Sequence, residues 1–84
     1  MSAIGQLSSG ETIDVRRQTD DAISATERGL NSISRPLNSA EQATASHIRE
    51  FLKQAKAALQ AGDVDGAHTL AAKAKVLLSE LTTP

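Results

Sequence analysis

The sequence contains no cysteine, no tryptophan, no tyrosine and a single phenylalanine. The lack of cysteine excludes disulfide scaffolds, thiolate zinc sites, iron–sulfur clusters and catalytic thiols. Bound single-stranded nucleic acids stack on aromatic side chains and are held by a strong positive charge, whereas this chain has almost no aromatic residues and a net charge of −1. We therefore expect no nucleic-acid partner.

Long apolar runs are also missing. No run approaches the ~20 residues that a helix needs to cross a bilayer, so we expect no transmembrane segment. The N-terminal residues lack the charged region leading into an apolar region that marks a signal peptide. Two locations stay open: the cytoplasm, and the periplasm if a leader has been removed.

Large apolar side chains are scarce. Hydrophobic residues make up 39% of the 84 residues, and 14 of them are alanine. A domain of this size buries only roughly 60% of the surface of its unfolded chain. The core is therefore expected to be thin, and a partner or a second copy is expected to contribute to stability.

Two breakers, Pro36 and Gly62, divide the chain into three predicted helices. Residues 1–10 are predicted to be a disordered tail, and Ser8 with Glu11 is a candidate capping box for a first helix over 11–34. The second helix, over 39–61, is preceded by two overlapping capping boxes, and the third, over 64–81, by the N-cap residue Asp63. The domain plan is an N-terminal amphipathic helix over 11–35 and an antiparallel hairpin over 38–81. Together they form a small all-α three-helix bundle.

The first helix has a heptad seam that is predicted to cover the hairpin. Its positions are Ile23, Leu30, Ile33 and Leu37. The seam positions are seven, three and four residues apart, and continuing the pattern towards the N-terminus gives Thr19 and Arg16, which are not apolar. The N-terminal half of the helix is therefore expected to be less well packed or to be held by another chain. Ile13 and Val15, in this half, have no evident cover within the chain. The predicted partner-binding residues are Ile13, Val15, Ile23, Leu30 and Ile33.

The hairpin resembles a single tetratricopeptide repeat over about residues 48–77. The residues that carry the resemblance are the turn at 62–67 (GDVDGA), the following Ala71, Lys73 and Ala74, and upstream Phe51 and Ala55. Ala58 stands where the family has an aromatic residue, and no proline follows Leu77. The resemblance implies a close-packed helix pair without the peptide-binding groove of a repeat array, which needs three or more repeats. The hairpin is also similar to helical pairs near the C-termini of bacterial envelope proteins.

Polar residues offer no catalytic pattern. His47 and His68 are predicted at opposite ends of the hairpin, and Asp63 with Asp65 lacks the spacing and final glutamate of a calcium loop. A basic stripe on the second helix, formed by Arg49, Lys53 and Lys56, is interpreted as a solvated face or as a surface for an acidic partner. We expect neither an enzyme nor a cofactor.

Two functions remain. The first is a helical protein–protein interaction or assembly module that forms a homodimer or binds another protein. The alternative is a small helical carrier of a lipid or another apolar ligand, although so few large side chains leave little room for the usual cavity of ~300 Å³ or more.

Overall fold

A computed structural model describes the backbone of residues 9–83 and the side chains of residues 13–83. It contains three helices: α1 (Ser9–Asn31), α2 (Ser39–Gln60) and α3 (Val64–Thr82). Within the described range the rest of the chain is turns and connections. The predicted all-α three-helix bundle is thus confirmed.

The bounds of α1 differ from the prediction at both ends. Ser9 and Gly10 are helical rather than part of a tail, while residues 1–8 and the predicted Ser8–Glu11 capping box lie outside the described residues and side chains. The helix ends at Asn31 instead of continuing to Ser34. There the Ile33 amide bonds the Leu30 carbonyl at 3.3 Å, a tighter i→i−3 turn with which helices commonly finish. The chain then has room to turn before Pro36.

The start of α2 follows its predicted cap. The Asn38 side chain accepts a hydrogen bond from the Glu41 amide at 2.8 Å, and the Glu41 carboxylate accepts one from the Asn38 amide at 3.0 Å. This reciprocal box satisfies amides that a helix start otherwise leaves without partners. The overlapping box that Ser39 and Gln42 could form is not the one that caps the helix, and the Gln42 side chain instead donates a hydrogen bond to the Leu37 carbonyl.

Arg35 ties the α1–α2 connection to both neighbouring elements. Its two terminal nitrogens donate to the two oxygens of the Glu41 carboxylate, Nη2 at 2.9 Å and Nη1 at 3.1 Å. Nη2 also donates to the Leu81 carbonyl at 2.8 Å. The hydrogen bond from Arg35, followed by the one from the Asn38 amide, lowers the pKa of Glu41 below its usual value. The same carboxylate raises the pKa of Arg35.

The turn between α2 and α3 is the one predicted. Gly62 has a φ of +83°. This left-handed backbone conformation is unfavourable for residues that carry a Cβ atom but not for glycine. Asp63 then caps α3, accepting a hydrogen bond from the Gly66 amide at 3.0 Å. A turn this short folds the two helices into an antiparallel hairpin.

The core lies along the hairpin and beneath one side of α1. α2 and α3 supply mainly leucine, isoleucine and alanine, whereas α1 supplies Ile23 and Leu30. α1 packs more extensively against α3 than against α2. Gly29 of α1 packs against Leu78 of α3, where a Cβ atom would lie 2.7 Å from Leu78 Cδ2 and would require that side chain to move. This off-centre position leaves the side of α1 that faces α2 only lightly covered.

Burial along the described part of α1 begins at Thr19; before it Val15 is partly buried and the other side chains from Ile13 onward are exposed, in line with the weaker packing predicted for this half. Thr19 is 0% exposed and Thr26 is 3% exposed, and both lie on the seam with Ile23 and Leu30. The threonine hydroxyls donate to the Val15 and Ala22 carbonyls one turn earlier, at 2.8 and 2.7 Å, so their burial leaves no hydrogen bond unmade.

Arg16 adds a tie between helices, donating to the Leu59 carbonyl near the end of α2 at 2.7 Å. The same carbonyl accepts a hydrogen bond from the Gly62 amide at 3.1 Å, so Arg16 adds a second bond at the end of α2. This contact joins the first half of α1 to the end of α2.

Candidate interaction surfaces

The five predicted partner-binding residues occupy three different environments. Ile23 and Leu30 are 1% and 6% exposed and belong to the chain's own core, because they are the seam that covers the hairpin. Ile33 packs against that core and is partly buried, as is Val15. Ile13 is 56% exposed. Of the five, Ile13 therefore offers the largest fraction of its surface to a partner.

Ile13 lies in the first of two candidate surfaces, a groove between α1 and α2 that we call the basic groove. It consists of two adjoining depressions of about 540 and 570 Å³, which share Lys56 and Gln60. The leucines at its base, Leu30, Leu52 and Leu59, are core residues only 3–8% exposed, and Ile13 at one end is its exposed large apolar residue. Basic side chains stand along it: Arg16, Arg17, Arg49, Lys53 and Lys56.

The groove concentrates positive charge on a chain that is slightly negative overall. Five of the nine basic residues line it, with two acidic residues, Asp20 and Glu27, giving a net charge of +3 against −1 for the whole chain. Lys56 forms an ion pair with Glu27 across the groove. Two arginines of α1 thus continue the basic stripe of α2 along the groove, and they share the second depression with Lys56 of that stripe; the sequence did not indicate this continuation.

The second candidate surface is the exposed side of α3 with the adjoining edge of α2, which we call the outer face of α3. A shallow depression of about 510 Å³ there is lined almost entirely by apolar atoms, from Phe51, Ala72, Val76 and Leu77 among others. Val76 is 58% exposed. Lys73 lies over the Phe51 ring, with Nζ 5.9 Å from the ring centroid, a distance at which cation–π attraction operates.

Sequence reasoning missed the outer face of α3. Val76 is a large apolar residue outside the repeat that faces the core, and this departure from the helical pattern is the signal that could have identified the surface.

The candidate metal ligands and the buried polar side chains were compared with the structure. Within residues 13–83, no three histidine, aspartate or glutamate side chains gather to hold a metal ion. Asp63 serves as a helix cap, and both histidines are exposed. Every buried side-chain nitrogen or oxygen in this range has a hydrogen-bond partner. None of the described helices combines the length and apolar character needed to span a membrane.

Comparison of the chain with known protein families, curated proteins and solved structures gives no match. Function is therefore inferred from the two surfaces.

Proposed function

We propose that the protein is a non-enzymatic helical interaction module that self-associates through the outer face of α3. The observation that carries the proposal is Val76, a large apolar side chain left 58% exposed within an almost wholly apolar depression. Exposed apolar patches of this kind mark contact surfaces in proteins.

A second copy is the occupant that the charges of α3 favour. Lys73, Val76 and Glu80 are exposed and lie three and four residues apart, so they share one side of the helix. If two copies of α3 pack antiparallel about a twofold axis near Val76, Lys73 of each copy lies opposite Glu80 of the other. The symmetry repeats this ion pair on both sides of a central apolar contact.

The size of Ala72 supports the same arrangement. This small residue lies beside Val76 on the outer face, where it lets a second helix approach closely without a cavity-filling side chain in the way. Apolar contact at the centre with charge pairs at the edges is the usual composition of a protein interface.

Sedimentation of two matched variants tests the proposal. Val76 and Ile13 are 58% and 56% exposed, so Val76→Asp and Ile13→Asp place the same charge at equally accessible apolar positions. We expect the wild-type chain and Ile13→Asp to be dimers at micromolar concentration and Val76→Asp to be a monomer with unchanged helix content. A monomeric wild-type chain, or a Val76→Asp variant that still dimerises, contradicts the proposal.

A charge exchange tests the orientation. Lys73→Glu is expected to weaken the dimer by placing two glutamates together, and Lys73→Glu with Glu80→Lys is expected to restore it. Failure of the double variant to recover would contradict the antiparallel register.

The carrier of an apolar ligand is less well supported. Carriers enclose most of the ligand's surface, whereas the depressions described above open along the outside of the bundle.

A further inference from the structure

We infer that the basic groove binds an acidic amphipathic helix of another protein, which lies along α1 and α2 as a fourth helix. This inference is independent of self-association, because the groove and the outer face of α3 share no lining residues.

The shape of the groove suits a helix. Its lining residues on α1 extend from Ile13 to Asn31, which corresponds to roughly 27 Å at 1.5 Å per residue, the length of about 18 helical residues. Helix-in-groove recognition uses an apolar stripe on the bound helix. The exposed Ile13 and the aliphatic stems of the lysine and arginine side chains provide the complementary apolar contact. Because α1 packs mainly on α3, a fourth helix fits between α1 and α2 and completes a four-helix bundle.

The charges of the groove select an acidic helix. Arg16 and Arg17 stand on the α1 side, and Arg49 and Lys53 stand on the α2 side. Among the described side chains, no carboxylate lies within ion-pair distance of these four residues. A helix with leucines on one face and glutamates flanking them along its length would place carboxylates beside both pairs, one in each depression. Such complementarity speeds association and selects against basic partners.

A helical protein fits the groove better than a nucleic acid or a membrane surface does. Binding sites for single-stranded nucleic acids combine positive charge with aromatic platforms, and the described lining of this groove has no aromatic residue. The basic side chains flank a concave groove between two helices, whose shape a rod-like helix follows and a flat lipid surface does not.

A designed peptide tests the inference. The probe is a fluorescein-labelled helix-forming 18-residue peptide with leucines in a heptad pattern and glutamates at the flanking positions, and its control carries lysines in place of the glutamates. We expect the full chain to bind the glutamate peptide in fluorescence anisotropy, with an affinity that falls as salt rises, and not to bind the lysine peptide.

Charge reversal in the groove supplies the decisive variant. Arg49→Glu with Lys53→Glu is expected to weaken binding of the glutamate peptide by about tenfold or more and to create binding of the lysine peptide. The matched control, Arg28→Glu with Lys75→Glu, makes the same change in net charge at exposed positions outside the groove and is expected to bind like the wild type. Circular dichroism verifies that both double variants remain helical.

Three results would overturn the inference: no binding of the glutamate peptide, equal binding of both peptides, or equal weakening by the two double variants. Binding of phosphatidylserine vesicles or of single-stranded RNA without binding of the peptide would also overturn it and identify a different class of partner. Because Val76→Asp leaves the groove intact, its monomer is expected to bind the peptide normally. This separates a failure of the groove from a failure of self-association.

Discussion

Replacing Ile23 by alanine tests whether α1 is an integral part of the fold. Ile23 is the most deeply buried apolar residue of α1, 1% exposed, and lies in the cluster that joins α1 to the hairpin. If α1 folded independently of the hairpin, loss of this side chain would leave the unfolding of α2 and α3 unchanged. If α1 packs as described, the whole bundle is destabilised.

The expected loss follows from the buried carbon atoms. The change from isoleucine to alanine removes three buried carbon atoms. At ~0.8 kcal/mol each, their loss lowers the free energy of unfolding by about 2.4 kcal/mol. The cavity that remains brings the expected cost into the range of about 2–5 kcal/mol. Domains are stable by roughly 0.05–0.15 kcal/mol per residue, or about 4–13 kcal/mol for 84 residues. The substitution therefore removes a large part of the total stability.

Urea unfolding followed by circular dichroism measures this loss, in the Val76→Asp background so that self-association does not contribute. The matched control is Ile13→Ala, which removes the same atoms from a side chain that is 56% exposed and is expected to cost less than about 1 kcal/mol. Equal unfolding midpoints for the two alanine variants would refute the packing of α1. So would a separate transition of the hairpin in Ile23→Ala.

Two further predictions concern the connections between helices. Gly62→Val is expected to lower the free energy of unfolding by about 1–2 kcal/mol, because valine is strained at a φ of +83°. No atom lies within 4 Å of the added Cβ, so the loss comes from the backbone alone. An unchanged urea midpoint would contradict this. The pKa of Glu41 is lowered in the folded chain, so its contribution to stability is present above the ordinary glutamate pKa of about 4.3 and is lost as the pH falls through the lower folded-state value. Urea midpoints measured at decreasing pH should therefore fall more steeply for the wild type than for Glu41→Gln, and parallel curves would show that the pair with Arg35 does not act in solution.

The helices and the hairpin turn could be predicted from sequence because their signals are local. Asn38 with Glu41, Gly62 and Asp63 each act on amides or dihedral angles within a few residues, and each does so in the structure. The burial of Thr19 was missed for a different reason. Hydropathy treats Thr19 as a gap in the seam, whereas a threonine whose hydroxyl bonds the preceding turn is buried without an unmet hydrogen bond.

The interaction surfaces depend on information that a helical repeat does not contain. The seam of α1 shows which side faces the hairpin, but not that α1 lies closer to α3 than to α2. That lateral position brings Arg16 to the side of α2, where it bonds a carbonyl 43 residues away, and opens the basic groove. Substituting Ile23 or Leu30 with a charged residue would therefore unfold the bundle whether or not the chain associates. Association is tested cleanly at Val76, where a new charge meets solvent in the monomer and an apolar surface only in the dimer, with the equally exposed Ile13 as the control position.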